Sequence, residues 1–449
     1  MNSKKFYLVS LGCAKNTVDS ESMGALMQQA GFQATERAAE AGILIVNTCG
    51  FIGPAKKESL EVLAELAKKK RRGQMLIAAG CLTQRYGQMV IDQVPGIDGI
   101  LGTRRWMDIV DLVQKLRGDE NRLTPLYHLP DAATVGADEK GVLRVAVQGG
   151  SAYLKVADGC RRPCAFCAIP LIKGTAVSRP LEAVVADART LYDNDINEIL
   201  LIAQDTTDYG HDLGMKDGLA QLLERITEEV PELPWLRILY AYPGYVTERL
   251  MQVMAEKPQI VPYLDMPLQH AHPMTLRRMR RPANMDWVHA TLSKMRTTIP
   301  GLALRTTFIV GYPGETEEEF QTLLDFVSEI KFDHVGVFPF SFEPGTTSEP
   351  LGDPVAQEVK EERMQRLMTL QENISLKRNQ SFVGQLQDVL VEGVNEGITV
   401  GRAYHDAPEI DGLVFIEGEA EIGELIPIQI TGAMVHDLTG RMVAGPNAG

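Results

Sequence analysis

Three cysteines, Cys160, Cys164 and Cys167, fall within eight residues of the stretch VADGCRRPCAFCAIP, spaced C-x3-C-x2-C. Thiolates in one short loop can ligate three irons of a cubane cluster, for which Cys is the usual terminal ligand. The fourth iron then lacks a protein ligand, and an open metal position marks a catalytic site rather than a closed structural one. A zinc reading requires one more ligand, for which His270 and His272 are the notable candidates. The remaining three of the six cysteines obey a different rule. Cys13 ends KFYLVSLGC, Cys49 ends GILIVNTC and Cys81 ends QMLIAAGC, so each closes an apolar run of strand length. If those runs are parallel strands, their C-terminal ends meet at the crevice where open α/β sheets bind ligands. A second set of three thiolates is then expected, again with one iron open. Gly12 and Gly80 precede two of these cysteines and allow close backbone approach.

The elements that must position these thiols are legible as alternating patterns. Through residue 120, short apolar runs alternate with segments of 3.6-residue periodicity such as ESLEVLAELAKKKR, which predicts a parallel sheet covered by helices. A second series begins near Ala152 with AYLKVA, NEILLIA, WLRILYA, PYLDMPL, LALRTTFIVG and HVGVFPF. Six βα units in sequence predict a partial (β/α)6 barrel of the TIM type, whose site lies at the C-terminal ends of its strands. The loop of Cys160 follows the first of them. A long charged helix comes next, then short β patterns from QDVLVEGV onward that predict a small antiparallel β-barrel. The expected divisions are an α/β domain at 1–120, a linker with room for a short strand at 121–145, a barrel at 146–352, a connecting helix at 353–379 and a terminal barrel at 380–446.

Composition narrows the function classes. The 449 residues are 45% hydrophobic and 23% charged, ordinary globular values. No run approaches the roughly 18 apolar residues of a membrane span, and the N-terminal apolar stretch is too short for a signal peptide. A cytoplasmic location is expected, and in a reducing compartment the cysteines serve metal or redox chemistry rather than disulfides. Of the net charge of −14, residues 380–449 carry −9, with eleven acids against two bases. A surface of that sign steers a basic partner and repels phosphate, so RNA is disfavoured as a partner. No P-loop, GxGxxG or HExxH pattern occurs.

The C-x3-C-x2-C spacing, with Phe166 before its last cysteine, resembles the signature of the radical S-adenosylmethionine superfamily. The resemblance implies a 4Fe-4S cluster whose open iron is chelated by the amino and carboxylate groups of S-adenosylmethionine, with reductive cleavage giving a 5′-deoxyadenosyl radical. It further implies Phe166 near the adenine and a cofactor-holding turn from Gly311 to Glu315 in GYPGE. Gln204 and Asp205, at the end of the second barrel strand, are placed to meet the cofactor's ribose or amino acid part. No catalytic residue beyond the cluster ligands is assigned. Lys155, Arg305 and the run Arg277, Arg278, Arg280, Arg281 read as solvated or ion-paired. Pro163 biases Arg162 toward extended backbone, which leaves the shape of the Arg161-Arg162-Pro163 loop open.

Two cysteine sets plus a terminal β module resemble the methylthiotransferase family over essentially the whole chain, the last module being a TRAM domain. This resemblance implies two 4Fe-4S clusters, S-adenosylmethionine, a sulfur donor and an electron donor. SLGCAKNTVDSE, NTCGFIGPAKKES and AYHDAPEIDG resemble the branch that adds a methylthio group to the β-carbon of an aspartate in small-subunit ribosomal protein S-twelve. The acidic tail suits such a basic protein. The branch that modifies an adenosine of transfer RNA, and a noncatalytic iron-sulfur protein, remain the alternatives.

Overall fold

The structure is a computed structural model, and it describes residues 4–118, 124–129 and 140–443. Parts of the expected linker and the end of the expected terminal barrel lie outside the described residues.

The four apolar runs of the first 120 residues are strands Lys5–Ser10, Ile43–Thr48, Met75–Gly80 and Gly99–Gly102, all parallel. Every residue of Ile43–Thr48 is buried, as expected of a strand covered on both faces. Two short strands extend the sheet: Gln33–Ala34 at one edge and Leu126–His128 at the other. Strand order runs 33–34, 5–10, 43–48, 75–80, 99–102, 126–128. The chain therefore leaves Lys5–Ser10 toward one edge and returns to build the other side from Ile43–Thr48. That reversal is a topological switch point, the place where such sheets bind ligands.

All six expected barrel strands form, at Ser151–Lys155, Glu198–Ile202, Trp235–Ile238, Ile260–Asp265, Ala303–Val310 and His334–Pro339, parallel and in sequential order. The sheet also carries an edge strand that was not expected. Val145–Gln148 pairs antiparallel with Ser151–Lys155 through a turn at Gly149 and Gly150. The alternation in RVAVQGGSAYLKVA, broken by Gly-Gly, is the signal that marks this hairpin.

The helix Gln357–Phe382 leads into a closed five-stranded barrel. It departs from a purely antiparallel design at one seam, where Val414–Glu417 and Leu438–Met442 run parallel. Its last segment, ELIPIQITGAMVHDLTGRMV, supplies two strands, Leu425–Ala433 and Leu438–Met442. Among the described residues no helix is long and apolar enough to cross a membrane.

One hydrophobic cluster threads all three units. Tyr153, Leu200, Trp235, Val261 and Tyr263 of the central barrel pack with Val18 from the first domain and with Leu390 and Ala407 from the last. The terminal barrel closes the end of the central barrel where strands begin. There Glu198 sits fully buried between two arginines, accepting from Arg237 at 2.7 Å and Arg402 at 2.5 Å, while Arg237 also donates to the Tyr404 carbonyl. Burial opposes ionisation of Glu198, yet the two guanidiniums pull its carboxyl down to about 2. Glu198→Gln leaves buried Arg237 without a carboxylate partner and Arg402 with Glu392 alone, and urea unfolding should show a loss of about 3–5 kcal/mol. Because the folded-state value lies below the ordinary one near 4.5, this contribution is complete above about pH 4.5 and is lost as pH falls toward 2.

Candidate active site

At the opposite end of the central barrel, where its strands finish, the first domain sits as a cap. Between them lies a cavity of about 470 Å³, and all six cysteines line it. Cys13, Cys49 and Cys81 come from the cap; Cys160, Cys164 and Cys167 come from the loop after the first barrel strands. The cap cysteines follow the strands on both sides of the switch point and the next one over. Cys13 is the N-cap of helix Ala14–Gln29, and Cys81 is the first residue of helix Cys81–Gln93. Helix N-termini favour negative charge, here thiolates and the cluster they would carry.

The residues fit iron-sulfur ligation better than a single ion. Among the described residues the only His, Cys, Asp or Glu group close enough to share one ion is His334, His405 and Asp406, at the far end of the barrel. The three sulfurs of each set are more widely spread, as ligands to separate irons must be. His270 and His272 do not line the cavity, which removes the zinc reading its fourth ligand. Glycine next to Cys13 is also required: Gly12 has φ +95°, and a Cβ there would fall 2.9 Å from the Cys49 sulfur. Burial pushes the Cys160 thiol up to about 11 and those of Cys81 and Cys167 up to about 12, so without metal these groups are neutral and ligation must release their protons.

The Arg161-Arg162-Pro163 loop has a clear anchor. Arg161 forks onto Asp208 at 2.6–2.9 Å, and buried Arg162 donates to Asp205 at 2.5 Å while stacking 3.5 Å above the Tyr245 ring. Arg281 faces the Cys164 sulfur at 3.5 Å and lies over Tyr242.

Of the residues expected to contact S-adenosylmethionine, Phe166, Gln204 and Asp205 line the cavity. The Gln204 Oε1 is buried without a hydrogen-bond partner, leaving an acceptor for a ligand's amino or hydroxyl group. Asp205 is differently engaged, one oxygen accepting from Arg162 and the other from Thr207 at 2.5 Å. Burial raises its carboxyl despite that pairing. Gly311 and Glu315 are outside the cavity lining. A Cβ on Gly311 would meet the Lys360 chain at 2.3 Å, and Glu315 turns back to the Tyr312 N–H and to Arg363, both at 3.0 Å. Their visible task is to lock this turn against the long helix.

Several lining residues went unrecognised in the sequence: Lys15, Lys173, Tyr240, Tyr242 and Gln269. Tyr240 and Gln269 carry positive φ, +63° and +74°, a costly conformation that clusters at functional sites. Both stand just past strand ends, and that position was the usable signal.

The cap is held by buried charges. Lys173, on the short helix after the Cys167 loop, donates to Asp19 of the cap at 2.9 Å and to Asp158 of the barrel at 3.0 Å. Lys155 bridges the same two carboxylates at 2.6 and 2.7 Å, and Arg144 reaches Asp158 at 2.7 Å. Burial opposes ionisation of Asp158, but these three cations hold it below the usual range.

Comparison with known proteins places this geometry. The model of the uncharacterized protein family UPF0004 matches residues 5–102, the radical SAM superfamily 154–327 and the TRAM domain 383–443. A ribosomal protein uS12 methylthiotransferase RimO from Chloroflexus aurantiacus is 47% identical, the alignment covering 98% of this chain and 100% of the relative. The chain belongs to the RimO family. Proteins of the same name from Roseiflexus sp. and Herpetosiphon aurantiacus are each 44% identical over 98% of this chain, covering 98% and 100% of theirs. Among solved structures, the radical S-adenosylmethionine methyltransferase TsrM from Kitasatospora setae superposes with a TM-score of 0.58 at 14% identity, covering 87% of this chain and 81% of that one. The likeness to TsrM is one of fold.

Substituting Lys173 by Met removes one of the two lysines shared by cap and barrel and leaves the buried Asp19 and Asp158 carboxylates with only Lys155 and Arg144 between them. We expect urea unfolding to register a loss of about 3–5 kcal/mol, more than the few tenths of a surface Lys such as Lys57.

Proposed function

We propose that this chain is a radical S-adenosylmethionine methylthiotransferase that replaces a hydrogen on the β-carbon of an aspartate in ribosomal protein uS12 with a methylthio group. The single observation that carries the reading is the joint cavity: two three-cysteine sets, on separate domains, face one space large enough for a cofactor and a side chain. Each set would hold a 4Fe-4S cluster with one iron free of protein ligand. The set of Cys160, Cys164 and Cys167 would bind S-adenosylmethionine and, when reduced by an electron donor, supply radical cleavage. The set of Cys13, Cys49 and Cys81 would handle sulfur from a separate donor. Two S-adenosylmethionine molecules are consumed per product, one as methyl source and one as radical source.

The protein groups have definable tasks. Phe166 and Gln204 border the space expected for the nucleoside and amino acid parts of the cofactor. Arg162 and Arg281, stacked on Tyr242, wall the cysteine loop with fixed cations. Tyr240, Phe51 and Phe338 contribute aromatic surface that excludes water from a reactive radical.

Charge supports a protein substrate over RNA. Some tail acids are internal: Asp406 is buried, and Glu392 pairs with Arg402. Even so, Asp388, Glu396, Glu409, Glu417, Glu419, Glu421 and Glu424 are exposed against the single exposed base Arg441. Such a face attracts a basic protein and repels a phosphate backbone. A cytoplasmic site of action follows from a ribosomal substrate.

Anaerobic reaction of the reconstituted, reduced protein with uS12 and S-adenosylmethionine should add SCH3 to one aspartate, read by mass spectrometry. Modification of transfer RNA instead, or absence of 5′-deoxyadenosine, overturns the assignment. Iron analysis should give about eight irons per chain, falling to about four in a triple Cys160, Cys164, Cys167→Ala variant or its cap counterpart; four in the native protein refutes the two-cluster reading.

A further inference from the structure

Four cations line the cavity, and three of them are committed. Lys173 is bound by Asp19 and Asp158, Arg162 by Asp205, and Arg281 donates to the Pro267 carbonyl and the Cys164 sulfur. Lys15 differs. Its ammonium sits 3.2 Å from the centroid of the Tyr240 ring, and among the described residues no carboxylate lies within ion-pair distance of it. An aromatic face steadies a cation but does not neutralise it, and an ammonium offers three donors. Its platform is rigid: Tyr240 is held at φ +63°, with its N–H donating to the Asp265 carboxylate at 3.3 Å. The cavity thus carries a preformed positive point that no carboxylate pairs directly: Asp265, already held by Arg305, and the Cys13 sulfur act on it only through space.

Its position says which carboxylate it would pair. Lys15 lies two residues beyond Cys13, in the first turn of the cap helix, on the side of the cavity from which sulfur would be delivered. A carboxylate bound here would have its neighbouring carbon one bond away, close to the Cys13 set and facing the Cys160 loop. In an aspartate that neighbouring carbon is the β-carbon, the atom that must exchange hydrogen for sulfur. We propose that Lys15 is the specificity-determining residue that binds the carboxylate of the target aspartate and so presents its β-carbon between the two cysteine sets. This rests on the uS12 reading above. The other carboxylate in the reaction belongs to the methionine part of S-adenosylmethionine, and the experiment separates the two.

Reconstituted holoenzyme, as wild type, Lys15→Gln and Lys15→Arg, is titrated with intact uS12 and with uS12 whose target aspartate is replaced by asparagine. Binding is read by fluorescence anisotropy, and S-adenosylmethionine binding by equilibrium dialysis without uS12. Wild type should prefer the aspartate form by about tenfold, the scale of one charge-assisted hydrogen bond. Lys15→Gln should bind both forms alike, and Lys15→Arg should keep part of the preference. Each ratio is taken on a single enzyme preparation, so partial misfolding cancels. A preference that persists in Lys15→Gln overturns the proposal. So does weakened S-adenosylmethionine binding with the aspartate preference intact, which assigns Lys15 to the methionine carboxylate. Wild type that neither binds nor modifies uS12 overturns the underlying function as well, whereas modification with a Lys15-independent preference overturns this inference alone.

Discussion

Everything about the site depends on how the cap is fastened to the barrel, and beside the cavity that fastening is ionic. Asp19 of the cap and Asp158 of the barrel share Lys155 and Lys173 in a cluster with almost no solvent exposure. Desolvating four charges is expensive, and an apolar interface of the same shape would hold the domains at least as well. What the charges add is geometry. Ionic contacts at 2.6–3.0 Å fail when displaced by an ångström or two, whereas apolar surfaces slide. A site built from two halves on separate domains needs that fixity, because either cysteine set alone faces open space.

Lys173 also ties this fastening to the site itself. It stands six residues beyond Cys167 and lines the cavity, while its ammonium grips the cap helix through Asp19. Asp19 in turn lies on the helix that Cys13 begins. The two cysteine loops are therefore linked through Cys167, Lys173, Asp19 and Cys13 by short covalent segments and one ion pair. A shift of the cap would move Cys13 relative to Cys167 through that chain.

Much of this was legible in the sequence, for physical reasons. Parallel strands buried on both faces must be continuous apolar runs, so ILIVNT and MLIAAG announce themselves, and a cysteine closing each run must lie at the ligand-binding edge. The hairpin strand Val145–Gln148 was missed because it is only four residues long and half of them face outward. The turn Gly311 to Glu315 shows the limit of motif likeness: its glycine and its acid are explained by contacts with Lys360 and Arg363, residues about 50 positions later that no local pattern could reveal. Lys15 and Lys173 were invisible for a related reason. A lysine in sequence reads as solvated, and only tertiary structure shows that one is clasped by two carboxylates and the other parked on an aromatic ring.

The acidic terminal barrel and the cavity occupy opposite ends of the central barrel, since Arg402 meets Glu198 where strands begin and the cysteines stand where strands end. The tail therefore cannot touch the reacting side chain while it remains docked there, and its charge must act at a distance, on the encounter and orientation of a large basic partner. Long-range attraction of this kind raises association rates and falls with salt. Selection of the reacting group, by contrast, has to occur inside the cavity, at short range and largely screened from salt. The fold thus separates two electrostatic features that a small enzyme would have to combine: a diffuse negative surface suited to attracting a basic macromolecule, and a positive point beside Cys13 suited to holding a side-chain carboxylate.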